Sequence, residues 1–85
     1  MFEWDDANLD HIARHGVESW DIEEAFDDRR RVQFPAHSGR YGYVGRTEDG
    51  RLIAMFLERR DGHWRVATAR DASEREGRAY RRANR

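Results

Sequence analysis

The chain contains no cysteine, no lysine and a single proline among its 85 residues. Without cysteine there is no disulfide, no thiolate nucleophile and no cysteine-based zinc site. Hydrophobic residues make up only 38% of the chain, whereas ~45 to 50% is usual. We therefore expect one small domain, residues 1–85, with a thin core whose stability depends partly on a partner or on self-association.

A long hydrophobic run is also missing. The first ten residues, "MFEWDDANLD", are acidic and hold no apolar stretch, so they resemble neither a signal peptide nor a membrane span. We expect the protein to act in the cytoplasm, without contact with a membrane.

Charge is plentiful but unevenly distributed. Residues 1–28 hold ten Asp or Glu and one Arg (net −9), whereas residues 29–85 hold fifteen Arg and seven Asp or Glu (net +8). This asymmetry predicts a surface that faces a polyanion. The alternative is that the acidic and basic parts neutralise each other within the fold, and the sequence alone leaves both open.

Two short helices are predicted in the acidic part. In "DDANLDHIARHGV", Asp5 or Asp6 can cap a helix that ends at Gly16, where glycine favours the left-handed conformation. A second helix follows in "SWDIEEAFDD", with Ser19 as its predicted cap. A third is predicted near the C-terminus, where Asp71 and Glu74 have capping-box spacing in "DASE".

Between these helices the pattern indicates an antiparallel meander of about four strands, which gives an α+β fold. Asp49-Gly50 and Asp61-Gly62 are typical of hairpin turns. Two-residue turns there would place Glu58 opposite Arg65, Leu57 opposite Val66, Phe56 opposite Ala67 and Tyr43 opposite Phe56. In that register Tyr41, Tyr43 and Arg65 share one face, although a bulge at either glycine would change the assignment.

Such a face could bind RNA, because aromatic rings stack on bases and guanidinium groups bind phosphate. We predict base stacking by Tyr41 and Tyr43 and phosphate binding by Arg65 and Arg70. Each arginine has an ordinary structural alternative: Arg65 can pair with Glu58 across the strands, and Arg70 can be a surface residue.

Metal-free RNA cleavage needs an acid and a base around the 2′-hydroxyl and the leaving oxygen, together with a cation for the charge on phosphorus. His15 is the leading acid or base candidate, Glu58 or Glu74 is the available carboxylate, and Arg65 and Arg70 are the candidate cations. His15 can equally be part of the helix cap. His11 and His15 have ligand spacing but lack the carboxylate of a zinc motif, so we predict neither a metal site nor a cofactor.

Four stretches carry a family resemblance: "FEWD" (2–5), "RHGVESWDIEEAF" (14–26), "GRTEDGRLIAMF" (45–56) and "RVATARDASERE" (65–76). Their order and spacing resemble the BrnT toxins of type II toxin-antitoxin systems. The resemblance implies a compact RelE-like α+β fold and an endoribonuclease that arrests translation and growth. It also implies neutralisation by a cognate DNA-binding antitoxin (BrnA-like), in a hetero-oligomer, with a homo-oligomer as the other possibility.

The resemblance also implies roles for particular residues. The family's basic-His-Gly-Val motif matches Arg14 to Val17, and its last strand matches Arg65 to Arg70 with Thr68 in place of serine. Its middle-strand arginine matches Arg40, which the resemblance makes a secondary phosphate ligand and an RNA-binding candidate. Many members have an acidic residue just before the middle-strand arginine, where this chain reads "HSGRYG"; His37 or Glu58 would then take its place. The alternatives are a non-catalytic protein-interaction module and an RNA-binding protein that does not cut.

Overall fold

A five-stranded sheet carries three helices in the computed structural model, which describes residues 1–85. In chain order the elements are β1 (Phe2–Glu3), α1 (Asp6–Ala13), α2 (Ser19–Asp27), β2 (Val32–Pro35), β3 (Tyr41–Arg46), β4 (Leu52–Arg60), β5 (His63–Asp71) and α3 (Glu74–Ala83). The sheet order is β1-β5-β4-β3-β2. The α+β prediction is confirmed.

The predicted count of about four antiparallel strands is wrong in one respect. β1 adds a fifth strand and runs parallel to β5, with Phe2 opposite Trp64 and Glu3 opposite Arg65. A strand of two residues is too short to show the alternation by which strands are recognised in a sequence. The sheet is therefore mixed, with β1 and β2 at its two edges.

The two N-terminal helices begin through side-chain contacts with free backbone amides. At α1, the Asp5 carboxylate accepts from the Asn8 amide and the Asn8 side chain accepts from the Asp5 amide, both at 2.9 Å. This confirms Asp5 as the cap. At α2 the predicted cap Ser19 is wrong, because Glu18 occupies that position and its amide donates to Asp21 Oδ2 at 2.9 Å.

The β4–β5 hairpin follows the predicted register for its first part. Asp61 and Gly62 are both left-handed, with φ of 49° and 80°, as a two-residue turn that matches strand twist requires. Glu58 faces Arg65 and Leu57 faces Val66, as predicted. A bulge at Ala67 then shifts the pairing, so that Phe56 faces Thr68 rather than Ala67.

The β3–β4 hairpin differs from the prediction by one residue. Its turn is longer than two residues: the Thr47 amide donates to the Arg51 carbonyl at 2.8 Å, and Gly50 takes a φ of 93°. Tyr43 consequently faces Met55 instead of Phe56. Since a slip of one residue exchanges the faces of a strand, the predicted shared face of Tyr41, Tyr43 and Arg65 is wrong.

Each face of the sheet has its own hydrophobic core. The larger core lies under α1 and α2: Ile12, Val17, Ile22, Ala25, Ile53, Met55, Leu57, Val66 and Ala69. The smaller lies under α3: Val44, Ala54 and Tyr80. Helix α2 packs directly on β3 at Gly45, where a Cβ atom would lie 1.9 Å from the Ala25 carbonyl oxygen.

Helix α3 is fixed at both ends by hydrogen bonds. Ser73 is its cap and forms a reciprocal box with Glu76, so the predicted pair Asp71 and Glu74 is wrong. Asp71 is still in β5. Near the other end, the Tyr80 hydroxyl donates to Asp28 at 2.6 Å. All three helices are too short or too polar to cross a membrane.

Candidate functional site

A groove of about 440 Å³ lies on the α3 side of the sheet, beside the segment that follows β2. It is lined by Phe34, Pro35, Ala36, His37, Arg40, Phe56, Thr68, Arg70 and Glu76. Two cations, one histidine and one carboxylate therefore share a single concave surface. The rest of its wall is apolar side chains of β2, β4 and Ala36, together with Thr68 of β5.

A tight turn between β2 and β3 brings His37 and Arg40 to the groove. Ser38 and Gly39 are both left-handed, with φ of 62° and 72°, and the Arg40 amide donates to the His37 carbonyl at 3.2 Å. The Arg40 side chain lies 3.5 Å from the Glu58 carboxylate of β4. The "HSGR" sequence thus holds a titratable ring and a guanidinium three residues apart at one end of the groove.

Arg70 and Glu76 form the strongest ion pair in the groove. Two nitrogens of Arg70 donate to the two oxygens of Glu76, at 2.7 Å and 3.0 Å, and the guanidinium carbon lies 5.5 Å from the centre of the Phe56 ring. The hydrogen bond from Arg70 lowers the pKa of Glu76 against the effect of burial. The same bond raises the pKa of Arg70. Both groups are therefore charged near neutral pH.

His15, the leading acid or base candidate, does not line this groove. It is exposed at the end of α1, and its ring meets the His11 ring edge-on, with 5.5 Å between centroids. His11 makes the contact with the groove, because its Nε2 lies 3.0 Å from the hydroxyl of Thr68. One hydrogen bond thus links α1 to the groove wall, and the His15 ring contacts the histidine that makes it.

Arg65 also lies outside the groove lining. Its guanidinium is 2.7 Å from the carboxylate of Asp5, the residue that caps α1. This contact replaces the predicted ion pair with Glu58, whose carboxylate pairs with Arg40 instead. Of the predicted set His15, Arg65 and Arg70, only Arg70 lines the groove.

The three residues predicted to bind RNA occupy different environments. Arg40 lines the groove and also an adjoining depression of about 470 Å³ that contains Tyr41. Tyr41 is 40% exposed, and one edge of its contact surface is taken by the Trp64 ring, whose centre lies 5.3 Å away at nearly a right angle. Tyr43 packs into the larger core, with its ring 5.3 Å from that of Phe26 and 6.3 Å from that of Trp64.

Sequence reasoning missed Glu76 as the partner of Arg70. The signal was present, since "SERE" has the same capping-box spacing as "DASE" and begins two residues later. The contact itself arises only because α3 folds back over the sheet. The role of His11 was also missed, and its four-residue spacing from His15 was the only signal.

The fold and the groove define a small α+β protein with a groove that brings together two arginines, a histidine and a carboxylate. Comparison with family models gives a match over residues 4–76 to the family described as "Ribonuclease toxin, BrnT, of type II toxin-antitoxin system". The chain belongs to this family, as the resemblance predicted. A toxin of this type has an antitoxin partner. A comparison with curated proteins gives no match.

Proposed function

We propose that the protein is a metal-independent endoribonuclease, which cuts RNA in the groove, arrests translation and growth, and is neutralised by a cognate BrnA-like antitoxin. It acts in the cytoplasm, where messenger RNA is translated. One observation carries the proposal: in a member of a ribonuclease-toxin family, the groove gathers Arg40, Arg70, His37 and Glu76. These are the residue types that metal-free phosphodiester cleavage requires.

Phosphate binding begins with an exchange of partners at Arg70. In the free protein the planar guanidinium binds the two oxygens of Glu76. A phosphodiester offers two oxygens in a similar geometry, so it can take the place of the carboxylate on the same donors. Arg40, whose ion pair with Glu58 is longer at 3.5 Å, supplies a second cation.

The same exchange prepares the base. Once Arg70 has turned to phosphate, the hydrogen bond that lowers the pKa of Glu76 is lost, and the carboxylate becomes a stronger base. Glu76 then takes the proton of the 2′-hydroxyl as the 2′-oxygen attacks phosphorus. The bond to the 5′-oxygen breaks, and His37 gives that oxygen a proton. The products are a 2′,3′-cyclic phosphate and a 5′-hydroxyl, and the arginines stabilise the charge that develops on phosphorus.

Bases adjoining the cleaved bond lie toward Tyr41, which shares the neighbouring depression with Arg40. An exposed aromatic ring stacks on a base of any sequence. Tyr43 does not stack on a base, because its ring packs against those of Phe26 and Trp64 in the larger core. His15 and Arg65 remain the alternative acid or base and cation on the α1 side, where His15 contacts His11 and Arg65 pairs with Asp5.

Cleavage of a synthetic RNA by purified, antitoxin-free protein tests the reaction. We expect cutting in the presence of EDTA and none when the nucleotide at the cut carries a 2′-deoxy or 2′-O-methyl sugar. Cutting of the 2′-deoxy substrate, or loss of cutting in EDTA that added metal restores, would refute the mechanism.

Histidine variants test which acid the protein uses. We expect His37→Ala to reduce the cleavage rate about 10²-fold or more, the usual effect of losing a general acid, with His15→Ala close to the unaltered protein. Loss of activity in His15→Ala with full activity in His37→Ala would transfer the role to the α1 side. Circular dichroism confirms that both variants are folded.

A non-catalytic interaction module is the second candidate. It is favoured by the internal pairing of both groove arginines, since Arg40 meets Glu58 and Arg70 meets Glu76. A gel-shift assay run beside the cleavage assay separates the possibilities. A module neither shifts nor cuts RNA, an RNA-binding protein only shifts it, and the proposed toxin does both.

A further inference from the structure

A second groove, on the outer side of α2, carries strong negative charge and no role in the proposed reaction. It has a volume of about 530 Å³ and is lined by Trp20, Glu23, Glu24, Asp27, Asp28, Arg46, Thr47 and Glu48. Five carboxylates and one arginine give it a net charge of −4. Trp20, which is 57% exposed, is the one large apolar side chain in this lining. We call this surface the acidic groove.

The outer face of α3 carries the opposite charge. Four arginines line a depression of about 290 Å³ that contains no acidic or apolar residue: Arg78, Arg81, Arg82 and Arg85. The nearest intramolecular acid is Glu74, whose 95% exposed side chain lies 3.8 Å from Arg78. No ion pair joins these arginines to the acidic groove within the chain. We call this surface the arginine patch.

The two surfaces adjoin the same corner of the molecule. Asp28, at the end of α2, lines the acidic groove and accepts the hydrogen bond from Tyr80 of α3. Four residues after Tyr80, just past the end of α3, the Asn84 side chain donates to the Arg30 carbonyl at 2.9 Å. A two-fold axis at this corner can therefore place the acidic groove of one copy against the arginine patch of another, and the reverse, in a single closed contact.

We propose that this corner is a dimer interface, in which the arginine patch of each copy occupies the acidic groove of the other. Trp20 supplies the apolar centre, because arginine stacks on the face of an indole ring and both residue types concentrate binding energy at interfaces. A standard interface covers about 800 Å² on each partner, roughly a seventh of the 5643 Å² surface of this chain. A second copy also satisfies the charge that each surface leaves unpaired.

The proposal does not depend on RNA cleavage, so its test uses mass rather than activity. Sedimentation equilibrium of the nucleic-acid-free chain at about 0.1 M salt should give a dimer that dissociates at about 1 M, as the Debye length falls from about 10 Å to about 3 Å. A single-chain mass at both salt concentrations would overturn the proposal.

Charge reversal makes the test specific. One double variant, Asp27→Arg with Glu48→Arg, reverses part of the charge of the acidic groove. The other, Arg82→Glu with Arg85→Glu, reverses part of the charge of the arginine patch. None of these four side chains makes a hydrogen bond or ion pair within the chain, so the fold should not depend on them. We expect either double variant alone to raise the dissociation constant at least about tenfold, because like charges then face each other.

Mixing the two double variants should restore the dimer, because both contacts of the mixed dimer are complementary: at one, the reversed groove meets the reversed patch, and at the other, the unaltered groove meets the unaltered patch. Arg60→Glu, an exposed reversal outside both surfaces, should leave the dimer unchanged. A dimer that survives either double variant, or a mixture that stays monomeric, would show that these surfaces do not meet.

Discussion

Glu76→Gln should weaken the fold, strengthen RNA binding and abolish most cleavage. Glutamine keeps the oxygen that accepts from the Ser73 amide at 2.8 Å, so the capping box survives. What is lost is the charge that holds Arg70. Charge-assisted hydrogen bonds are worth about 1.5 to 3 kcal/mol. Because the Arg70 side chain is 41% exposed, we discount the loss in unfolding free energy to about 1 kcal/mol.

The freed guanidinium is then available to phosphate. If the same ~1 kcal/mol no longer opposes RNA binding, the dissociation constant should fall about fivefold. The cleavage rate should fall about 10²-fold or more, because the base is gone. Denaturant unfolding, a gel shift and single-turnover cleavage measure the three effects.

Glu74→Gln is the matched control, since Glu74 is exposed and 3.8 Å from its nearest arginine. It should change none of the three quantities. Weaker RNA binding by Glu76→Gln would refute the exchange of partners at Arg70. Cleavage at the unaltered rate would refute Glu76 as the base.

Three further predictions concern the fold that positions the groove. Gly45→Ala should destabilise the protein by about 3 kcal/mol in urea unfolding, or prevent folding, because the new Cβ would lie 1.9 Å from the Ala25 carbonyl oxygen. A loss of unfolding free energy below about 1 kcal/mol would contradict the packing of α2 on β3. Tyr80→Phe should cost about 1 to 2 kcal/mol, seen as a melting temperature roughly 5 to 10 °C lower, by removing the hydrogen bond to Asp28. Tyr43→Phe should cost little, since that hydroxyl has no partner in the chain. Stability should hold near neutral pH and fall below about pH 4. Hydrogen bonds lower the pKa of Asp28 and that of Glu76 against the effect of burial, so the stabilisation that these carboxylates give the folded state is lost when they are protonated. A melting temperature that does not fall at acid pH would contradict this.

Local chemistry made part of this fold predictable. The turn at Asp61-Gly62 could be predicted, because a two-residue hairpin turn needs two adjacent left-handed residues and Asp-Gly adopts that conformation readily. This turn then set the register of the first half of the β4–β5 hairpin. The bulge at Ala67 has no comparable signal, since it depends on how the strand packs against its neighbours.

The site was less predictable than the fold. Arg70 could be proposed from its place at the end of a strand, but its partner Glu76 depends on how α3 returns over the sheet. From the sequence, His37 was only an alternative acid or base candidate. The turn that brings it to the groove with Arg40 needs Ser38 in the left-handed conformation, which serine rarely adopts and a sequence pattern does not predict.

The most direct test of the central claim is single-turnover cleavage of RNA by Arg70→Ala beside Arg75→Ala. Both variants remove one arginine from neighbouring parts of the chain, but only Arg70 lines the groove. The account predicts a rate reduced about 10²- to 10³-fold for Arg70→Ala, the usual cost of losing a group that stabilises transition-state charge, and an unchanged rate for Arg75→Ala. Equal rates in the two variants, or no cleavage by the unaltered protein, would contradict it.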